Sequence, residues 1–146
     1  MFQRTLHRPE TAGDRRRPPW RLLIESREPG LDISNFDAFR SAGFAVTVCE
    51  GPASHATECT LVRDGSCPLL AEADVALFDL DSDPDTRSEV LAAIRAARPD
   101  LPIVVRSKAP PGAAAHGCPA IRTTTSVNGQ VSALHRAVFR WPAPRA

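Results

Sequence analysis

Asp74-Val75-Ala76-Leu77-Phe78-Asp79-Leu80 is the stretch on which the architecture turns. Its apolar run is closed by an acid at each end. It has neither the alternation of a half-exposed strand nor the length of a helix. It therefore reads as a strand buried on both faces, as in a parallel sheet covered by helices. Just downstream, Asp83 and Pro84 have the order of an N-cap followed by a first helical residue. A helix is predicted from there to about Arg98, with Val90, Leu91, Ile94 and Ala97 as its inner stripe and Pro99 past its end. Leu101-Pro102-Ile103-Val104-Val105 is the next strand.

Upstream, the same alternation holds. Arg21-Leu22-Leu23-Ile24 is a short apolar run, stopped by the polar loop Glu25-Ser26-Arg27-Glu28-Pro29-Gly30. A helix follows, with Ser34 or Asp32 as N-cap, Ile33, Phe36 and Phe39 on one stripe, and Gly43 at the position after its end. Phe44 to Cys49 is strand-like and ends at Gly51-Pro52. The stretch from Ala53 to Glu72 has no clean period and reads as a long loop, with one helical turn around Leu69 to Glu72. Residues 109–119 are Pro- and Gly-rich loop, Ala120 to Thr125 a weaker fifth strand, and a last helix runs from Asn128 to just before Pro142. Strands alternating with helices imply a parallel sheet with helices on both faces. Right-handed crossovers and five strands favour the order 2-1-3-4-5, a three-layer flavodoxin-like α/β sandwich. Residues 20–141 form this domain. Residues 1–19 are expected to be a disordered Arg- and Pro-rich tail, and 142–146 a short tail whose loss leaves the domain folded.

The chain of 146 residues is 42% apolar and 24% charged, which suits one globular domain. No apolar run approaches the roughly 18 residues of a spanning helix, and no secretory signal is recognisable. A cytoplasmic, reducing location is the expectation, so the four cysteines should be thiols or ligands. The net charge of +1 hides a partition: residues 22–105 sum to −9, whereas 106–146 contain no acid and sum to +6. A basic end can meet an acidic partner or balance the acidic centre. Its charges are spread out with little aromatic interleaving, which argues against nucleic acid.

In such sheets, ligands bind beyond the carboxyl ends of the strands, at the switch point between strands one and three. Glu25, Ser26, Asp79, Asp81 and Ser107 fall there. At these residues the chain resembles the receiver domain of bacterial two-component response regulators. The third strand matches the one that carries the family's phosphoaccepting Asp, which places Asp79 at the acceptor position. Pro102-Ile103-Val104-Val105-Arg106-Ser107 looks like the fourth strand, with Ser107 where a Ser or Thr contacts the phosphoryl group. Glu25 and Ser26 stand in place of the acidic pair that holds Mg²⁺.

The departures bear on function. One acid of that pair is a Ser, which should weaken Mg²⁺ binding, since the ion wants hard oxygen ligands. Asp81 can serve in part, so Glu25, Asp79 and Asp81 are the candidate Mg²⁺ ligands. The family's Lys after strand five is missing: Arg122-Thr123-Thr124-Thr125 offers none, and Arg122 sits early. The usual second and fourth helices are reduced, and the family's output face uses the fourth. Each group also has a plainer role. Asp79 can cap the next loop by hydrogen bonds, Ser107 can be a turn or cap residue, and Asp81, Asp83 and Asp85 can be a solvated acidic loop.

Cys49, Cys59, Cys67 and Cys118 lack the paired spacing of structural zinc. Cys49 and Cys118 also belong to opposite rims of the sheet. Cys49, His55, Cys59 and Cys67 can converge if their loop folds back, Cys59 and Cys67 can form a redox pair, or all can be inert thiols.

The expected function is a stand-alone, receiver-like regulatory and protein-interaction module in signal transduction, with phosphotransfer reduced or lost. With five residues after Trp141, no DNA-binding effector is expected to follow. One alternative is a working phosphoacceptor, in which Asp79 is the nucleophile, Glu25 and Asp81 hold Mg²⁺, and Ser107 binds a phosphoryl oxygen. Another is a metal or thiol sensor built on the Cys49–Cys67 loop. No hydrolase motif is present.

Overall fold

The carboxyl ends of five parallel strands share one rim, and their register decides which side chains meet there. A computed structural model describes residues 17–27, 32–81 and 83–141. In chain order these form β1 (Trp20–Glu25), α1 (Phe36–Ser41), β2 (Phe44–Cys49), α2 (Thr60–Asp64), α3 (Pro68–Glu72), β3 (Val75–Asp79), α4 (Pro84–Ala97), β4 (Ile103–Ser107), β5 (Ala120–Arg122) and α5 (Val127–Arg140). Turns of 3₁₀ helix lie at Ala56–Glu58 and Gly112–Ala115. The sheet order is β2-β1-β3-β4-β5, all parallel, as the sequence predicts.

Alternation along each strand divides the core in two. Leu23, Ala76, Phe78, Ile103 and Val105 face α4 and the 56–72 segment, packing with Val90, Leu91 and Ile94. Leu22, Ile24, Leu77 and Val104 face α1 and α5, packing with Phe39, Leu134 and Val138. Asp83 caps α4 as expected, its side chain accepting from the Thr86 N–H. Gly43 ends α1 at φ +97°, with Pro18 and the Trp20 ring against its Cα.

Several expectations need correction. The segment from Ala53 to Glu72 is not a loop with one turn: it holds a 3₁₀ turn and the two five-residue helices α2 and α3. Helices that short show no period, and burial of Leu61 and Leu70 stabilises them instead. They stand where a full second helix was missing from the sequence, and the turn at Gly112–Ala115 stands where the fourth was. Ile33 does not join the α1 stripe but is 59% exposed. β5 ends at Arg122, where Thr125 N turns back to the Arg122 carbonyl. The expected tails at 1–19 and 142–146 lie outside the described residues, except for 17–19.

Candidate functional site at the carboxyl rim

The register pairs Glu25 with Cys49 and Phe78, and Asp79 with Arg106. Glu25 follows Leu23 by two and so lies on the α4 face. Asp79 follows Leu77 by two and lies on the opposite, α1/α5 face. The two carboxylates therefore leave neighbouring strands on opposite sides of the sheet, and each meets a different arginine.

On the α1/α5 face, Arg106 forms the centre. Its Nη1 donates to Asp32 Oδ1 at 2.8 Å and to Gln130 Oε1 at 3.1 Å. Its Nη2 donates to Asp32 Oδ2 at 3.2 Å and to Asp79 Oδ2 at 3.2 Å. Arg106 and Asp32 are both buried, their side chains 6% and 1% exposed. Such a pair persists only with paired, fork-shaped geometry, and this one has it. Burial works against the Arg106 charge, but Asp32 and then Asp79 outweigh it and hold the guanidinium above its ordinary pKa. Asp79 Oδ1 accepts from the Asp81 N–H at 2.9 Å. Both oxygens of the acceptor-position carboxylate thus have donors from this chain.

On the α4 face, Arg87 is 1% exposed and stacks over the Phe78 ring, 4.5 Å from its centroid. Its Nε donates to the Asp79 carbonyl and its Nη2 to the Glu25 carbonyl, both at 2.8 Å. One guanidinium therefore ties the ends of β3 and β1. Its Nη1 stands 4.0 Å from Glu25 Oε2, and neither atom has a hydrogen-bond partner. Burial raises the Glu25 pKa, against the pull of Arg87 and a hydrogen bond with the Cys49 thiol. Burial lowers that of Arg87, against the pulls of Glu25 and Asp79.

The third acid points elsewhere again. Asp81 Oδ1 accepts from the Lys108 N–H at 2.9 Å, and Oδ2 accepts from the Thr123 hydroxyl. Asp81 is a clasp between the ends of β3, β4 and β5. Ser107 closes β4 half-buried, its carbonyl accepting from the Thr123 N–H.

The expected Mg²⁺ set of Glu25, Asp79 and Asp81 consequently does not converge: alternation separates the first two, and the third is turned to β5. Among the described residues, no three His, Cys, Asp or Glu side chains gather as metal ligands. The donor set does not fit the divalent ion that the resemblance implies. The cysteine hypothesis divides as well. All four are free thiols; Cys49, Cys59 and Cys67 line one cavity, while Cys118 precedes β5 at the other rim. Burial and then Glu25 push the Cys49 thiol up to about 11. His55 is exposed and outside that wall.

Sequence reasoning missed the two arginines and undervalued Asp32. Both signals were present. Arg106 interrupts an otherwise apolar strand, and Arg87 precedes Val90, Leu91 and Ile94 at helical spacing, on the apolar stripe of α4. A charge at a core position demands a partner. Asp32, expected as an N-cap, is the partner of Arg106.

No protein-family model matches the chain, and no curated protein does. Solved structures do. A response-regulator receiver domain (CheY-like) from Methanospirillum hungatei JF-1 superposes with a TM-score of 0.61 at 15% identity, covering 82% of this chain and 94% of its own. A response-regulator receiver protein from Sinorhizobium medicae WSM419 gives 0.61 at 21%, covering 83% and 95%. A putative pilus assembly protein from Burkholderia thailandensis E264 gives 0.64 at 18%, covering 83% and 99%. The fold is that of the CheY-like receiver domains, as the sequence resemblance implies. Among the described residues, no helix is long and apolar enough to cross a membrane.

Proposed function

We propose that this protein is a receiver-like regulatory module that acts through contact with a protein partner and does not carry a phosphoryl group. The observation that carries this reading is the Asp79 carboxylate bound to Arg106 Nη2 and the Asp81 N–H. An incoming phosphoryl group needs a free carboxylate oxygen and a cation that bridges both. Here the positive charge is internal and fixed, and Arg106 is held in turn by Asp32 and Gln130. Glu25 is on the other face of the sheet, paired with Arg87. No lysine follows β5 in the sequence; Lys108 follows β4 instead.

The acid-free stretch from residue 106 onward supplies a contact surface. Lys108, Arg122, Arg136 and Arg140 are exposed along it, which suits an acidic protein face.

The test is intact mass after incubation with Mg²⁺ and acetyl phosphate, beside Asp79→Asn. Unchanged mass in both proteins is expected. One added phosphoryl group on the natural sequence, absent from Asp79→Asn, would overturn this reading and make Asp79 a working phosphoacceptor.

A further inference from the structure

Three thiols and open space meet on the α4 face, away from the Asp79 carboxylate. Cys49, the last residue of β2, lines a cavity of about 210 Å³ together with Cys59 and Cys67. Leu70, Val90 and Ile94 add apolar wall. The acids that line it are Glu25, which is buried, and Glu58, whose carboxylate accepts from the Ala53 and His55 N–H groups. Cys67 also lines an outer groove of about 360 Å³, formed with Gly65, Ser66, Pro68 and Arg98. Gly65, Ser66 and Pro68 are exposed, so the groove opens to solvent. Among the described residues, no acid lines it, and its volume is within the range of small-molecule sites. Of the four cysteines, Cys67 is the one that lines both spaces.

That double position suits sulfur exchange. A thiol opens a small disulfide only where the disulfide reaches it, and a second thiol must stand behind to resolve the mixed product. Cys67 has the groove on one side and the two other thiols on the other. Of these, Cys49 is near enough to sense the charge of Cys67. Its own thiol, pushed up to about 11 by burial and Glu25, stays protonated near neutral pH and does not begin an exchange that needs a thiolate. The half-buried Cys67 begins it. A disulfide needs its two Cα atoms within about 7 Å, and α3 has room for that approach. Leu69 and Glu72 line a third cavity, of about 200 Å³, toward β1 and β2, so this five-residue helix has open space on three sides. Arg98 anchors its far end by donating to the Leu70, Ala71 and Ala73 carbonyls, so movement falls to the Cys67 end.

We infer that Cys67 and Cys49 form a dithiol site for small disulfides of the glutathione class, which join the two cysteines to each other by exchange. Cys67 Sγ attacks one sulfur of the oxidised molecule. The S–S bond breaks, and the first glutathione leaves with its electron pair and takes up the proton that Cys67 gave up. Cys49 Sγ then attacks Cys67 Sγ. The mixed bond breaks, and the second glutathione leaves with its electron pair and the proton of Cys49. The chain is oxidised by two electrons, and one disulfide is reduced to two thiols. The new bond ties the end of β2 to the start of α3 and closes the segment 49–67 that contains α2. It requires neither Asp79 nor the basic stretch, and so stands apart from the phosphoryl question.

Oxidised glutathione is the probe, incubated with the reduced full chain near neutral pH and quenched with acid. The readouts are intact mass and peptide mass after cleavage at Glu50 and Arg63, which separates Cys49, Cys59 and Cys67. The chain should lose two hydrogens, with Cys49 linked to Cys67 and Cys118 unchanged. Cys49→Ala should stop at one glutathione on Cys67. Cys67→Ala should form no link and carry no glutathione on Cys49, and Cys59→Ala should behave as the natural sequence. A link from Cys67 to Cys59, a glutathione that persists on Cys67 in the natural sequence, or no reaction at Cys67 would each overturn the assignment. In urea the selectivity should vanish. A Cys49–Cys67 link that forms equally well in the unfolded chain would show that chain proximity selects the pair, and would overturn the role given to the cavity.

Discussion

Replacing Arg106 by Met tests whether the buried fork organises the rim. The substitution keeps an unbranched stem in the sheet and removes four hydrogen bonds, two to Asp32 and one each to Gln130 and Asp79. What remains decides the magnitude. The Asp32 side chain is 1% exposed and would lose both hydrogen bonds of the fork inside the core, whereas that of Asp79, 14% exposed, reaches water. Breaking a buried pair from one side costs about 3–5 kcal/mol, which at a urea slope of about 2 kcal/mol/M lowers the midpoint by about 1.5–2.5 M. Asp32→Leu/Arg106→Met removes both charges and should recover most of that loss, since an apolar pair of similar volume fills the same space. Asp79→Asn alone should cost about 1 kcal/mol, because it removes the partly exposed arm. Urea titrations of the four proteins at pH 7 give the comparison. A midpoint shift under about 0.5 M for Arg106→Met, or a double variant no more stable than the single, would refute the energetic role assigned to the fork.

Glu25 carries a pH signature. Its folded pKa is raised above the ordinary 4.5, so the native state holds the proton more tightly than the unfolded chain. That contribution is fully present below the unfolded pKa and is lost as pH rises through the folded one. Glu25→Gln should therefore flatten stability against pH from about 4.5 upward and leave the acid end unchanged, as measured by urea midpoints across pH 4 to 8. Gly51→Ala should cost about 1–3 kcal/mol by the same assay, because it combines φ of +75° with a Cβ only 2.5 Å from Arg87 Nη1.

Strand identity and order were legible because each strand is a short apolar run bounded by breakers, and α4 and α5 because they span fourteen residues each. The five-residue helices were not, since their stability comes from Leu61 and Leu70 packing on a sheet assembled from distant segments. The site was half legible. Asp79 was placed correctly at the rim, yet its partner was hidden by reading Pro102 to Ser107 as a strand without asking why an arginine sat in it. Parity was the other missed clue. Glu25 and Asp79 end neighbouring strands, but the register between β1 and β3, which no local pattern encodes, sets them on opposite faces.

The Arg87 bridge has a consequence for how this fold meets its surroundings. A doubly wound sheet has a natural seam where its winding reverses, between β1 and β3. Where a metal closes that seam, a chelator or a fall in pH opens it. Here the closure is a planar cation that stays charged across the physiological range, backed by Phe78 and shielded from salt by burial. Calcium or magnesium fluctuations, acidification and ionic strength therefore leave the seam shut. The tie between β1 and β3 is thus part of the fold itself, made between one side chain and two backbone carbonyls.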